Sequence, residues 1–97
     1  MATGPIKAYS PILTTRRHTS STLSIASGES GSTNITIGLS GYTPIGIVAI
    51  DGTSTTGISY SDWYLADAST VKIYWRNNGG AKANTVFGVK ILYQKAN

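Results

Sequence analysis

Apolar and polar residues alternate along most of this chain with a period of two, the period of a β-strand that buries one face. In SSTLSIAS (20–27), Leu23 and Ile25 share one face, with Thr22 and Ser24 on the other. The turn sequence GESGS (28–32) follows. TNITIGL (33–39) then points Ile35, Ile37 and Leu39 inward and Asn34, Thr36 and Gly38 outward. GISYSDWYL (57–65) sets Ile58, Tyr60, Asp62 and Tyr64 against Ser59, Ser61, Trp63 and Leu65. Beyond the turn ADAST, STVKIYWRN (69–77) sets Val71, Ile73 and Trp75 against Lys72, Tyr74 and Arg76. The loop NNGGAKA has Asn78-Gly79 near its centre, a pair that favours positive φ. NTVFGVKILYQ (84–94) closes the series, with Phe87, Val89, Ile91 and Tyr93 as its core face and Val86, Gly88, Lys90 and Leu92 as a mixed one.

SGYTPIGIVAIDGTS (40–54) departs from this pattern. Thr43-Pro44 suits the start of a strand, because Pro44 has no donor and biases Thr43 towards extended geometry. Ile45, Ile47 and Ala49 then face one way and Gly46, Val48 and Ile50 the other. Both faces are apolar, which predicts a central strand covered on both sides, or one that meets another subunit. Gly46 would let a neighbour approach the backbone closely, and Asp51-Gly52 reads as the closing turn. Residues 1–19 carry Pro5 and Pro11 and read as an extended arm anchored by Ile6, Ile12 and Leu13. The expected organisation is therefore an arm over 1–19 and one domain over 20–97. With strands and turn signals in steady succession, that domain is expected to be an antiparallel β-sandwich, jelly-roll-like, of about six to eight strands.

Composition supports the all-β reading. Charged residues are 12% of the chain, against about 25% in ordinary domains. Ser and Thr together number 25 of 97 residues, and there is a single Glu, so helix-forming material is scarce. Cysteine is absent, which excludes disulfides and thiolate metal sites. A 97-residue domain without such staples is marginal alone, and association into a homo-oligomer is one common remedy. The N-terminal residues lack the apolar core of a signal peptide, and no run reaches membrane-spanning length, so a product made in a cytosol without membrane insertion is expected. Of the charges behind the net +4, only Arg16, Arg17 and His18 cluster. Scattered charge of this size serves solubility, and nucleic acid is not an expected partner.

Motifs for chemistry are missing. Gly38, Gly41 and Gly46 lack phosphate-loop spacing, and no helix is available to receive a phosphate. The one histidine, His18, would have to meet Asp51, Asp62, Asp67 or Glu29 to form a triad, and reads as a surface side chain instead. Four acids and one histidine supply no usual zinc or EF-hand set, and Asp51 and Asp67 read as turn formers. No metal, no cofactor and no enzymatic activity are expected. Asn34-Ile35-Thr36 matches a glycosylation sequon, taken as accidental without a signal peptide. The aromatic residues carry more information. Tyr60, Trp63, Tyr64, Tyr74 and Trp75 lie in two neighbouring strands, and alternation cannot bury them all. The candidate contact surface is Tyr60, Asp62, Tyr64, Tyr74 and Arg76, an aromatic and polar mixture that suits sugar or protein binding. Packing at the sandwich ends or between subunits is the alternative.

GYTPIGIVAI together with STVKIYWRNNGG and NTVFGVKILYQK resembles the C-terminal β-domains of minor structural, tail-fibre and baseplate proteins of tailed phages and prophages. The matching residues are Ser40 to Ile50, Ser69 to Asn78 and Asn84 to Lys95, and the likeness extends over roughly 20–95. It transfers no catalytic residue. The resemblance implies a small sandwich displayed on a virion, as a trimeric receptor-binding knob that contacts other virion proteins and host surface carbohydrate. Ile45, Ile47, Val48 and Ile50 are then the candidate subunit interface. Such domains usually end longer fibre proteins, whereas this sequence starts at Met1. A capsid decoration or head-fibre subunit is therefore the second expectation, docking through an arm that uses Ile6, Ile12, Leu13, Arg16 and Arg17. A bacterial carbohydrate-binding module is the third.

Overall fold

The computed structural model describes residues 11–52 and 57–96. They form eight strands and, among the described residues, no helix: β1 (Leu13–Thr19), β2 (Leu23–Ile25), β3 (Ser30–Thr36), β4 (Tyr42–Gly52), β5 (Ile58–Asp67), β6 (Thr70–Asn77), β7 (Ala83–Thr85) and β8 (Phe87–Lys95). One sheet has the order β1-β8-β4, a second β3-β6-β5, and β2 pairs with β7 in a short ribbon. Every pairing is antiparallel. The all-β, antiparallel, eight-stranded architecture is as the alternation predicts.

The core follows the two most regular strands. Phe87, Val89, Ile91 and Tyr93 of β8 are buried, as are Val71, Ile73 and Trp75 of β6, and they join Ile25, Ile35 and Ile37 in one cluster. Each three-stranded sheet has one of these strands at its centre, which is why their inward residues are the least exposed. Phe87 links the sheets: its ring stacks on Trp75 with centroids 6.4 Å apart and meets Tyr60 edge-on at 5.7 Å. The Trp75 indole N–H donates to Thr33 Oγ1 at 2.9 Å, and its ring lies on Gly31, where a Cβ would approach to 3.0 Å. That strand therefore needs its glycine for a rigid ring to lie flat.

Several expectations are corrected. The expected arm ends in a strand: Leu13–Thr19 pairs with β8 along its whole length, so β1 belongs to the sheet. Arg17 spans the central strand to reach Asp51, with Nε donating to Oδ2 at 3.0 Å and Nη2 to Oδ1. Gly88 lies beneath the pair, where a Cβ would collide with both partners. Hydrogen bonding from Arg17 holds the Asp51 carboxyl below the usual range, so Asp51 is an ion-pair partner within β4 and not a turn former. Asp67 is a turn former, accepting the Ser69 N–H at 2.8 Å. Ile6 lies outside the described residues.

The strand expected at the centre, β4, is an edge strand among the described strands. Its register slips between Pro44 and Gly46 and again between Ile47 and Ala49, which leaves Ile45 and Val48 without partners on β8. Two inserted residues change the inward spacing from two to three, so Pro44, Ile47 and Ile50 lie opposite core residues Tyr93, Ile91 and Val89. Ile45 and Val48 are exposed. Among the described residues, chain neighbours aside, nothing lies within 4 Å of a Cβ placed on Gly46. Other boundaries move less. The turn before β3 is Ala26–Glu29, with Gly28 at φ 78° and the Glu29 carboxylate accepting the Ala26 N–H. Residues 84–94 divide between β7 and β8, and Gly79 is not among the positive-φ glycines.

His18, expected as a surface side chain, is half-buried and tied to the core. Its Nε2 lies 2.7 Å from Tyr93 Oη, which also accepts the Gly38 N–H at 2.9 Å. The hydroxyl proton needs an acceptor in this setting, and the neutral imidazole provides it at Nε2. Burial, and then the nearby Arg16 charge, push the His18 pKa below its ordinary value. The folded form thus disfavours the proton, and stability is full above the unfolded pKa, about 6.5, and declines as pH falls through the lower folded value. With one histidine in the sequence, no other side chain ordinarily titrates there. Urea midpoints should fall between about pH 7 and pH 5 in the wild type, and His18→Gln should flatten that slope.

Candidate functional site

The outer face of β3-β6-β5 brings Tyr64 and Tyr74 together with charged side chains. Inward residues of β6 alternate with Lys72, Tyr74 and Arg76, and register carries this face to the neighbouring strands. Asn34 and Ser32 of β3 stand opposite Lys72 and Tyr74, while Tyr64 and Asp62 of β5 stand opposite the same two residues on the other side. The β5 set results from a slip between Tyr60 and Asp62, where Ser61 is inserted. Before the bulge, Tyr60 pairs with inward Trp75; after it, Asp62 and Tyr64 face outward and Trp63 and Leu65 lie opposite Ile73 and Val71.

Four of the five expected contact residues, Asp62, Tyr64, Tyr74 and Arg76, are therefore brought together. Tyr60 is not: it packs on Phe87, and burial pushes its hydroxyl pKa up. Lys72 belongs to the group as well, although it is not among the five residues expected from the sequence. The available signal was its position two residues before Tyr74, on the same face of a regular strand.

Within the patch, the Tyr64 and Tyr74 rings lie 6.3 Å apart at 35°, and Lys72 Nζ is 5.3 Å from the centre of the Tyr74 ring. Hydrogen bonding between the two tyrosines raises the Tyr64 pKa and lowers that of Tyr74, which Lys72 lowers further. Arg76 is steadied at one end: its Nε donates to Asn78 Oδ1 at 3.0 Å, and Asn78 Nδ2 donates to Ser59 Oγ at 2.8 Å. Asp62 Oδ1 accepts the Trp63 N–H at 2.9 Å. Among the described residues the one ion pair is Arg17–Asp51, so Lys72, Arg76 and Asp62 have no ion-pair partner there. Tyr64 is 41% exposed.

A second exposed group is apolar: Ile12, Leu13, Ile45, Val48 and Trp63. Of the four expected interface residues, Ile45 and Val48 are open, whereas Ile47 and Ile50 pack against the chain's own core. Of the expected docking residues, Ile12 and Leu13 are open, Arg16 is exposed on β1 and Arg17 is engaged with Asp51. No group of three or more His, Cys, Asp or Glu residues that could hold a metal occurs among the described residues, and no helix among them is long and apolar enough to cross a membrane.

Fold and surface together define an antiparallel all-β domain with one aromatic, mixed-charge face and one scatter of exposed apolar side chains. No family model, curated protein or solved structure matches the chain.

Proposed function

We propose that the chain is a non-enzymatic virion structural protein of a tailed phage, an oligomeric β-sandwich knob on a tail fibre or baseplate that contacts host surface glycans. The observation that carries the contact reading is the pairing of Tyr64 and Tyr74 on an exposed sheet face, flanked by Lys72, Arg76 and Asp62. Neighbouring tyrosine rings give sugar rings an apolar surface, and the charged and amide groups around them hydrogen-bond hydroxyls. Support for the virion reading comes from sequence: the residues that carry the resemblance to phage fibre domains, 40–50, 69–78 and 84–95, occupy β4, β6 and β7–β8. Sandwich packing is favoured by the single core that β6 and β8 share. A trimer is favoured by Ile45 and Val48, large apolar side chains that the bulges of β4 leave in solvent.

The alternative of a capsid decoration protein is disfavoured because 7 residues of the arm it requires, Leu13–Thr19, are β1, with Arg17 committed to Asp51. A mass measurement in solution should give three times the 10.2 kDa subunit. Tyr64→Ala and Tyr74→Ala should each reduce glycan-array signal and host adsorption about ten-fold or more, as loss of a central aromatic contact of roughly 2 kcal/mol would. A monomer, or unchanged adsorption with both variants folded, would count against the proposal.

A further inference from the structure

We propose that the outer face of β3-β6-β5 recognises an acidic polysaccharide, one bearing a carboxylate on alternate sugars, with Tyr74 as the stacking platform between two cations. The inference rests on the glycan reading and adds the ligand's charge. Lys72, Tyr74 and Arg76 occupy alternate positions of one strand, so the backbones of the two cationic residues lie roughly 7 Å on either side of Tyr74, and Lys72 Nζ reaches to 5.3 Å from the centre of its ring. Neither is paired with an acid among the described residues, and Arg76 is held in place through Asn78. The chain as a whole carries +4, so a polyanion is attracted at long range as well.

Asp62 decides between kinds of polyanion. It stands opposite Tyr74 on the neighbouring strand β5, with no ion-pair partner among the described residues. A single-stranded nucleic acid could stack a base on Tyr74 and set phosphates near Lys72 and Arg76, but its charge on every unit would place one against Asp62. In a polysaccharide charged on alternate sugars, the neutral sugar over Tyr74 offers Asp62 hydroxyl donors, and the acidic sugars on either side reach the cations. Asn34, opposite Lys72, adds an amide suited to sugar hydroxyls.

Hyaluronan and chitin oligosaccharides of equal length form a matched pair of probes, because both contain N-acetylglucosamine and only hyaluronan has the alternating carboxylate. In calorimetric titration against the full chain at low salt, hyaluronan should bind about ten-fold tighter than chitin, the difference that one charge-assisted hydrogen bond gives. The gap should close in about 1 M salt. It should also close in the Lys72→Gln/Arg76→Gln variant, whose melting curve is recorded to show that it is folded, and Tyr74→Ala should abolish binding of both. Equal or tighter chitin binding that Tyr74→Ala abolishes overturns the charge assignment and leaves the glycan reading standing. Binding of neither sugar overturns the assignment, and overturns the glycan reading with it if Tyr64→Ala and Tyr74→Ala also leave adsorption unchanged. Tighter binding of an oligo-dT of similar length overturns it in favour of nucleic acid.

Discussion

Phe87→Ala should destabilise the domain by about 3–5 kcal/mol, the cost of truncating a fully buried aromatic and leaving its cavity partly unfilled. Phe87 has no exposed surface and touches rings from two directions, Trp75 and Tyr60, both on the sheet that does not contain it. Its removal therefore weakens the contact between the sheets more than the packing within either one. A domain of this size is stable by only about 5–15 kcal/mol, and the melting temperature should drop on the order of 15–30 °C. Val48→Ala is the instructive comparison. Val48 belongs to the most apolar run of the sequence, yet it is 54% exposed, so within one subunit its truncation should change stability by less than about 0.5 kcal/mol. A larger loss that grows on dilution would report that Val48 is buried between subunits, because subunit association contributes to stability by mass action. Thermal melts at two protein concentrations separate these results, and a Phe87→Ala melt within a few degrees of wild type would mean that the ring does not join the sheets.

That contrast shows where the sequence was readable. β6 and β8 are central strands with one face on the core, so their inward residues are apolar except for Asn77 at the end of β6, and the alternation of Val71, Ile73 and Trp75 and of Phe87, Val89, Ile91 and Tyr93 reports the core directly. Edge strands are under weaker constraint. β1 offers only Leu13 as a large aliphatic, because its inward positions are Thr14, Arg16 and His18 at the rim. Periodicity of apolar residues cannot find such a strand. Its β-branched threonines were the remaining signal. In β4 a period of two splits Ile47 from Ile50, whereas the two bulges put both on the core side. Gly46 was a usable hint, since a glycine within a strand often marks a bulge.

The face that carries Tyr64 and Tyr74 was partly legible for the same reasons. Tyr74 and Arg76 follow from the regular alternation of β6, and their outward position needed no structure. The residues of β5 did not follow. Ser61 is as good a strand residue as its neighbours, and nothing local says that it is an extra one. A reading with period two groups Tyr60 with Tyr64, and the bulge separates them, sending Tyr60 to Phe87 and leaving Tyr64 beside Tyr74. Long-range pairing with β6 sets that register. The sequence of β5 alone does not.

Asn77→Ala should cost about 2–4 kcal/mol, an unusually large loss for a residue that reads as part of a polar loop. Asn77 has no exposed surface. Its Nδ2 donates to the carbonyls of Ile25 at 3.1 Å and Ala81 at 3.0 Å, and its Oδ1 accepts the Gly79 N–H at 2.9 Å. Its own backbone pairs with Glu29 and Gly28. One side chain thus satisfies backbone groups from β2 and from the β6–β7 loop, and alanine would leave all three without that partner. Asn77→Asp keeps the shape and the acceptor but loses the donor, and near neutral pH it also buries a charge beside two carbonyl oxygens. Burial and those carbonyls would raise the folded pKa of the introduced carboxyl above its unfolded value of about 3.9. The folded state then binds the proton more tightly, so the deficit should be largest at neutral pH and should shrink as pH falls through the folded pKa, once the protonated carboxyl can donate to one carbonyl. Asn77→Ala has no such group, and its deficit relative to wild type should stay constant over the same range. Urea denaturation of the three proteins at pH 7 and at about pH 4.5 measures this directly. Parallel pH dependence of the two variants would mean that the buried amide is not what holds the β6–β7 loop against β2.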